Sequence, residues 1–448
     1  MRDYDFVAIG GGNAGLTAAS RIAGAGHKTA LVDRGPIGGL CSLNGCNPKK
    51  VLVRSTELLD EIKHAAKFGI DVGNPRIDWS RVIDRKESFT STVTAASEAS
   101  LKEQGIELIQ GSPRFVSPNE LEVDGELIRA KSFVIATGST PRELKVEGGE
   151  FIKTSNDILA LREVPADLVI VGAGVVAMEF GQVFARAGSR VKILTPGRQA
   201  LSGEDEEIAA RLIEFSTALG IEILFQVRLK AVRRQQDGLA VEFEHDGGAK
   251  TARADFVLNA AGRVPSISDL SLDKAEVETD RRGVVVNEFL RSQSNPQIFA
   301  AGDAHGRMQL SPVASYEGRV VARNFLENDA ERVRHDWIPR AVYTVPPLAS
   351  VGLTESEARA RGFDIRVIKN DMSTWKIYQI MGEEVAHSKI VTEAASGLIL
   401  GAHLYGQSAG DIINIFGLAM KFGILADDLK NFVYAYPTIS SALSYVFG

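Results

Sequence analysis

Apolar runs in the first part of the chain are short and bounded by glycine. Residues 5–9 (Asp-Phe-Val-Ala-Ile) read as a buried strand entering a glycine turn. An Ala-rich helical stretch through Ala25 and a second strand at residues 28–33 follow. Strand, tight turn, helix and strand make the start of a βαβ unit. The pattern returns with Leu168 to Val171 as strand, a turn at Gly172 to Gly174, a helix to Ala187 and a strand from Val191 to Leu194. Two such units about 160 residues apart predict a duplicated nucleotide-binding plan, because solenoid repeats recur every 20–50 residues or so. Between them, residues 50–68 and 78–104 carry the period of two long amphipathic helices, and residues 105–137 alternate short strands with polar turns. Leu258 to Gly262 and Ile298 to Asp303 read as apolar strands closing on glycine. From about Pro339 the texture becomes antiparallel, with strands at Arg366–Ile368, Ala386–Val391 and Leu398–Leu404 and a helix from Gly410 to Gly423.

A length of 448 residues predicts about three domains, and 44% hydrophobic with 24% charged residues is an ordinary globular balance. Lys and Arg number 51 against 57 Asp and Glu, a net charge of −6 that weighs against a polyanion binder, so no nucleic-acid partner is expected. No uninterrupted apolar run reaches the roughly 18 residues of a membrane span. Asp3 and Asp5 stand where a secretory signal would be basic, and Gly10 to Gly15 interrupts its apolar core. A cytoplasmic protein is therefore expected. Cys41 and Cys46 are the only cysteines. They exclude a disulfide scaffold, and a pair this close points to redox or metal chemistry.

Gly10-Gly11-Gly12-Asn13-Ala14-Gly15 fits G-x-G-x-x-G between a strand and a helix. Gly10, Gly12 and Gly15 let the chain turn sharply and let a pyrophosphate approach amides at the positive end of the helix. Asp33, at the end of the next strand, is placed to accept from a ribose hydroxyl. The second turn carries Gly172, Gly174 and, at the third position, Ala177. Thr195 stands where the acid would be, and Arg198 follows. Without a carboxylate to repel a 2′-phosphate, and with a guanidinium near, the site favours NADPH over NADH.

Cys41 and Cys46 are five residues apart. In a regular helix such residues point about 140° apart, and their Cα atoms lie beyond the roughly 7 Å that a bridge tolerates. A Cys41–Cys46 disulfide therefore needs an irregular turn, which Gly45 permits, and strain of that kind makes a bridge easier to reduce. Two unrelated buried thiols would fit poorly among so many glycines and basic residues. A metal site is the weaker reading, since no second Cys or His pair stands near, and none is expected.

The segment Gly38-Gly39-Leu40-Cys41 through Cys46-Asn47-Pro48-Lys49-Lys50 resembles the redox motif of the class I FAD-dependent pyridine nucleotide–disulfide oxidoreductases. That family includes glutathione reductase, dihydrolipoamide dehydrogenase and mercuric reductase. Further similar segments follow in order: Ala136-Thr137-Gly138-Ser139, Glu179 in the second turn, Gly262-Arg263-Val264-Pro265, Ala301-Gly302-Asp303, Leu310-Ser311-Pro312 and Leu400-Gly401-Ala402-His403. The resemblance implies an α/β fold with two doubly wound dinucleotide-binding domains and a C-terminal α+β dimerisation domain. FAD would lie in residues 1–143 and 261–335, NAD(P) in residues 144–260, and the dimer interface in residues 336–448. It implies a homodimer that passes electrons from NAD(P)H through FAD to a Cys41–Cys46 disulfide and on to a small disulfide. Cys46 would be the flavin-side sulfur and Cys41 the interchange thiol. Lys50 would be the cation beside the flavin, held by Glu179, and Asp303 the ligand of the ribityl chain. Thr137, Gly138, Ser139, Gly262, Leu310 and Ser311 would complete the flavin contacts.

One stretch departs from the family. Most disulfide-reducing relatives end in His-Pro-Thr-x-x-Glu, whereas this chain has Tyr436-Pro437-Thr438-Ile439-Ser440-Ser441. A phenol with an ordinary pKa near 10 is a poor base at neutral pH. Tyr436 can still donate a hydrogen bond or line a pocket. The alternatives are accordingly an NAD(P)H oxidoreductase whose acceptor is a quinone, oxygen or a metal ion, or a flavin redox sensor without fast turnover.

Overall fold

The computed structural model describes residues 1–448, which divide into two compact units: Met1–Val51, Ile83–Glu143 and Gly262–Arg334 in one, Leu52–Val82, Leu144–Ala261 and His335–Gly448 in the other. The first unit is built on a sheet whose parallel strands run in the order Glu107–Gln110, Thr29–Asp33, Arg2–Ile9, Glu126–Ile135, Ile298–Ala300. The antiparallel strands Glu120–Val123 and Pro113–Ser117 extend it. The apolar runs seen in the sequence follow from this: a parallel strand covered on both faces has no polar side. Phe6 and Ala8 pack into one core with Leu31, Val134 and Phe299, while Val7 and Ile9 enter the core on the other face with Val32, Phe133 and Ile135.

The second unit repeats the plan. Its parallel sheet runs Glu222–Leu224, Arg190–Leu194, Asp167–Val171, Phe256–Asn259, Ile152–Lys153. The first four strands repeat the order of the first sheet, so the duplication predicted from the pattern is present in the topology. The fifth differs, since Ile298–Ala300 comes last in its sheet's chain order and Ile152–Lys153 first. An antiparallel meander, Arg228–Gln235, Gly238–His245 and Gly248–Ala254, lies between two of its strands in sequence. A five-stranded antiparallel sheet ordered Arg340–Val342, Leu348–Gly352, Ile399–Gly406, Ala386–Glu393, Ile365–Asp371 packs against the Ala409–Phe422 helix.

The expected long helix over residues 78–104 is two helices, Trp79–Thr90 and Val93–Glu103. Three hydroxyl residues, Thr90, Ser91 and Thr92, meet at the break. Thr90 Oγ1 bonds back to the carbonyls of Lys86 and Glu87, a competition with the helical ladder that weakens a helix where such residues cluster.

A buried ion-pair node secures the second unit. Lys389 Nζ, on a side chain only 5% exposed, lies 3.0 Å from Asp205, 3.1 Å from Glu207 and 3.0 Å from Glu355. Asp205 also caps the Glu206–Ala218 helix through the amides of Glu207 and Ile208. Burial alone would lower the Lys389 pKa, but the carboxylates reverse that and raise it. Removing Lys389 leaves Asp205, 4% exposed, as an unpaired buried charge, and breaking a buried pair in this way costs about 3–5 kcal/mol. Lys389→Ala is therefore expected to lower unfolding stability by about that amount in urea titration at pH 7; a loss below about 1 kcal/mol would show the node to be solvated.

Candidate redox site

The first glycine turn has the geometry of an anion cradle. Gly10 sits at φ +113°, a region that excludes most side chains, and a Cβ there would strike the Ala136 carbonyl. A Cβ on Gly15 would meet the Gly10 carbonyl. The Asn13–Gly24 helix starts at Gly12 with no side-chain cap, so its first amides have no partner from a capping residue. The Gly39 backbone approaches Gly12 closely enough that a Cβ on Gly39 would lie 2.5 Å from Gly12 Cα. Asp33 is anchored rather than free: its carboxylate accepts the amides of Gly11 at 2.6 Å and Gly35 at 2.8 Å. A carboxylate offers about four acceptor positions, so two remain for hydroxyl donors.

Residues expected around the flavin converge in the same unit. Thr137 Oγ1 is buried with no hydrogen-bond partner, beside Gly138 at φ +70°. An orphaned buried hydroxyl is costly unless a ligand completes it. Ser139 donates to Asp303 Oδ2 at 2.6 Å, and Arg263 Nε donates to Ser139 Oγ at 2.8 Å. Burial pushes the Asp303 carboxyl above the ordinary carboxylate range, with the Ser139 bond and the Arg263 charge pulling against it. The Gly262 carbonyl accepts from Arg142 N at 3.0 Å. Leu310 precedes the Ser311–Leu326 helix, and Asn13 Nδ2 donates to the Ser311 hydroxyl. Asn13 is an unspecified position of the glycine fingerprint, so nothing in the motif marks this contact. Together the glycine cradle, the orphaned Thr137 and the half-buried Asp303 fit a dinucleotide flavin.

Cys41 lies in the short Gly39–Leu43 helix and Cys46 opens the Cys46–His64 helix. Asn44, at φ −138° and ψ 18°, and Gly45 interrupt the two, which is the irregularity that the spacing requires. Gly45 is obligatory in this packing, since a Cβ there would lie 2.7 Å from the Leu40 carbonyl oxygen. The structure holds the pair as two free thiols, not as the bridge expected for the oxidised state, and the two sulfurs hydrogen-bond to each other. The Cys46 thiol bond, a Ser311 hydroxyl bond and the Lys50 charge, acting against burial, hold Cys41 down to about 6. The same shared bond, with burial, pushes Cys46 up. The pair thus loses one proton easily and retains the other. Lys50 stands one turn after Cys46 on the same helix face.

This coupling predicts a pH profile. A thiol with a lowered pKa is ionised above that value, so iodoacetamide should alkylate the reduced protein with a midpoint near pH 6 rather than near 9. Ser311→Ala, which removes one donor, should move the midpoint upward. A parent midpoint above pH 8 would contradict the lowering of Cys41 by its neighbours.

In the second unit, Gly172 lies at φ +110° and a Cβ on it would meet the Ala260 carbonyl. Gly174 precedes the Val175–Ala187 helix, again with no side-chain cap, and Ala177 is buried. Thr195 is buried too, and its Oγ1 accepts the Gly197 amide at 3.3 Å. It therefore shapes the turn, while Arg198 is exposed. Glu179 is buried and its Oε1 accepts the Tyr343 amide at 2.8 Å. Lys50 belongs to the first unit and Glu179 to the second. Tyr436 is 71% exposed, whereas the neighbouring Tyr434 donates to the Leu429 carbonyl at 2.9 Å. Ser441, in place of the family's Glu, donates to the Thr438 carbonyl at 2.6 Å.

Comparison with known proteins agrees with this geometry. Residues 4–318 match the model of the pyridine nucleotide-disulphide oxidoreductases, and residues 338–446 match the dimerisation domain of the same group. The chain is 34% identical over 443 residues to a dihydrolipoyl dehydrogenase of Bacillus subtilis, covering 97% of this chain and 96% of that one. It is 32% identical over 445 residues to a mercuric reductase of Staphylococcus aureus, covering 98% of this chain and 81% of the relative. Among solved structures, the Cu(II) complex of the HOCl-induced flavoprotein disulfide reductase RclA from Escherichia coli superposes with a TM-score of 0.90 at 26% identity, covering 100% of this chain and 99% of that one.

Proposed function

Because the chain belongs to the pyridine nucleotide-disulphide oxidoreductase family, and is thus an FAD- and pyridine nucleotide-dependent oxidoreductase, we propose that it reduces a small disulfide through Cys41 and Cys46. The observation that carries this reading is the pair of cysteines brought to hydrogen-bonding reach across the Asn44–Gly45 interruption, with Lys50 and Ser311 bearing on Cys41. FAD, which the Gly10 turn, Thr137 and Asp303 would hold, would supply the electron pair, drawn from the reduced nicotinamide, that opens the Cys41–Cys46 bridge.

The residues of the chain account for the remaining steps. Electron-pair entry with one proton leaves Cys41 as thiolate and Cys46 as thiol. Cys41 attacks one sulfur of the substrate, forming a mixed disulfide and expelling a thiolate. Cys46 gives its proton to that leaving group and, now ionised, attacks Cys41 Sγ. The bridge re-forms, and the second substrate half leaves as thiolate, which takes a proton from water. A thiolate held down to about 6 is present at neutral pH without a base. This reading explains how a chain with Tyr436 and Ser441 at the family's His and Glu positions can retain the reaction. Lys50 supplies positive charge beside the pair, and family resemblance pairs it with Glu179. Thr195 and Arg198 favour NADPH over NADH. The dimerisation domain supports a homodimer, and the exposure of Tyr436 suits a residue offered to the partner copy's site.

A metal-ion acceptor is the second reading. It is favoured by the phenol at position 436 and by the names of two relatives, a mercuric reductase and a copper-bound disulfide reductase. An acceptor panel with NADPH and NADH separates the two. Glutathione disulfide, lipoamide, a quinone, Hg(II) and Cu(II) are compared at equal enzyme concentration. The disulfide reading expects the highest kcat/KM with one of the disulfides. A metal ion or quinone exceeding every disulfide by tenfold would replace it.

A further inference from the structure

Asp303 stands on a single helical turn, Gly302–Ala304, with Gly302 at φ +66°. So short a turn has little intrinsic stability, and its position is set from outside. Glu317, on the Ser311–Leu326 helix, is fully buried. Its Oε2 accepts the Gly302 amide at 2.6 Å and lies 2.9 Å from His305 Nε2, so one oxygen grips both ends of the turn. The next residue, Gly318, presses on the first helix: a Cβ there would lie 2.5 Å from the Ala14 carbonyl oxygen and 3.0 Å from Thr17 Cβ. Consecutive residues of one helix thus fix the Asp303 turn and the helix that carries the glycine cradle. Burying a carboxylate is expensive unless it is bonded, and no step of the proposed reaction uses this one.

We propose that Glu317 is a positioning residue for Asp303, so that flavin affinity depends on a carboxylate one layer behind the residue expected to meet the cofactor. The proposal rests on the assignment of Asp303 to the ribityl chain. Apo-protein is prepared for the parent, Glu317→Ala, Glu317→Gln, Asp303→Ala and the Asp303→Ala/Glu317→Ala double variant. FAD affinity is read from quenching of flavin fluorescence, and the apo thermal midpoint is read separately.

Glu317→Ala should weaken FAD binding by about tenfold or more, the scale of hydrogen bonds to a charged group. Glu317→Gln, whose amide oxygen can still accept from both donors, should stay within about threefold of the parent. In the Asp303→Ala background, Glu317→Ala should add less than about twofold, because coupled residues are not additive. Parent-like binding by Glu317→Ala, or an equal loss in both backgrounds, overturns the proposal. Equal FAD affinity in the parent and Asp303→Ala would instead reject the role of Asp303, a separate result. If Glu317→Ala does not fold, Glu317→Asp, one methylene shorter, carries the same comparison against Glu317→Gln.

Discussion

Cys41→Ser lowers NAD(P)H-dependent reduction of any disulfide by at least about a thousandfold, the scale on which loss of an attacking nucleophile is felt. Serine keeps the volume of the site and the hydrogen bond towards Ser311, but a hydroxyl is not ionised at neutral pH and cannot form a mixed disulfide. Cys41 does not belong to the cradle around Gly10, Thr137 and Asp303, so the variant should keep its FAD. Steady-state assays with the best acceptor of the panel, together with the visible spectrum of the purified variant, check both halves. Turnover of a disulfide at a tenth of the parent rate would mean that electrons reach the acceptor by another route.

Gly10→Val should give a protein without flavin. The new side chain would have to occupy space held by the Ala136 carbonyl, from a backbone at φ +113°. A β-branched residue at positive φ is a genuine outlier, with strain of about 1–3 kcal/mol before any clash is counted. Relief requires the turn to move away from the Ala136-Thr137-Gly138 segment, which dismantles the cradle. Gly24→Ala is the control, since nothing lies within 4 Å of a Cβ at that position. The expected result is an FAD content below a tenth of the parent's for Gly10→Val and an unchanged content for Gly24→Ala. Full flavin loading of Gly10→Val would show that the turn is not the binding element.

The parallel sheets were legible because a strand buried on both faces must be apolar throughout, as at Phe6 to Ile9 and Leu168 to Val171. The helix–turn–helix around the cysteines was legible for a different reason. Two thiols five residues apart can meet only if the helix is interrupted, and Gly45 beside Cys46 is where the interruption falls. The break at Thr90 to Thr92 was missed because helical periodicity continues across it, and local hydroxyl competition does not alter the spacing of apolar residues. Thr195 stands where the second fingerprint would carry an acid, and its hydroxyl also accepts the Gly197 amide, a contact that the motif does not mark. A residue type at a motif position does not reveal where its side chain points.

Contacts between distant parts of the chain left no trace in the pattern. Asn13 reaches Ser311, Glu317 reaches Gly302 across fifteen residues, and Lys389 gathers Asp205, Glu207 and Glu355. Each is a polar side chain that a linear reading assigns to solvent, and only the fold supplies its partner. The carboxylate behind the Asp303 turn and the ion-pair node around Lys389 are of this kind.

With only two cysteines in the chain, a thiol count tests the central claim directly. Oxidised, flavin-loaded protein is reacted with a chromogenic disulfide under denaturing conditions, before and after anaerobic addition of excess NADPH and removal of the nucleotide. Transfer of electrons into a Cys41–Cys46 bridge predicts no reactive thiol before reduction and two per chain afterwards. Two thiols before reduction, or none after it, would contradict the account.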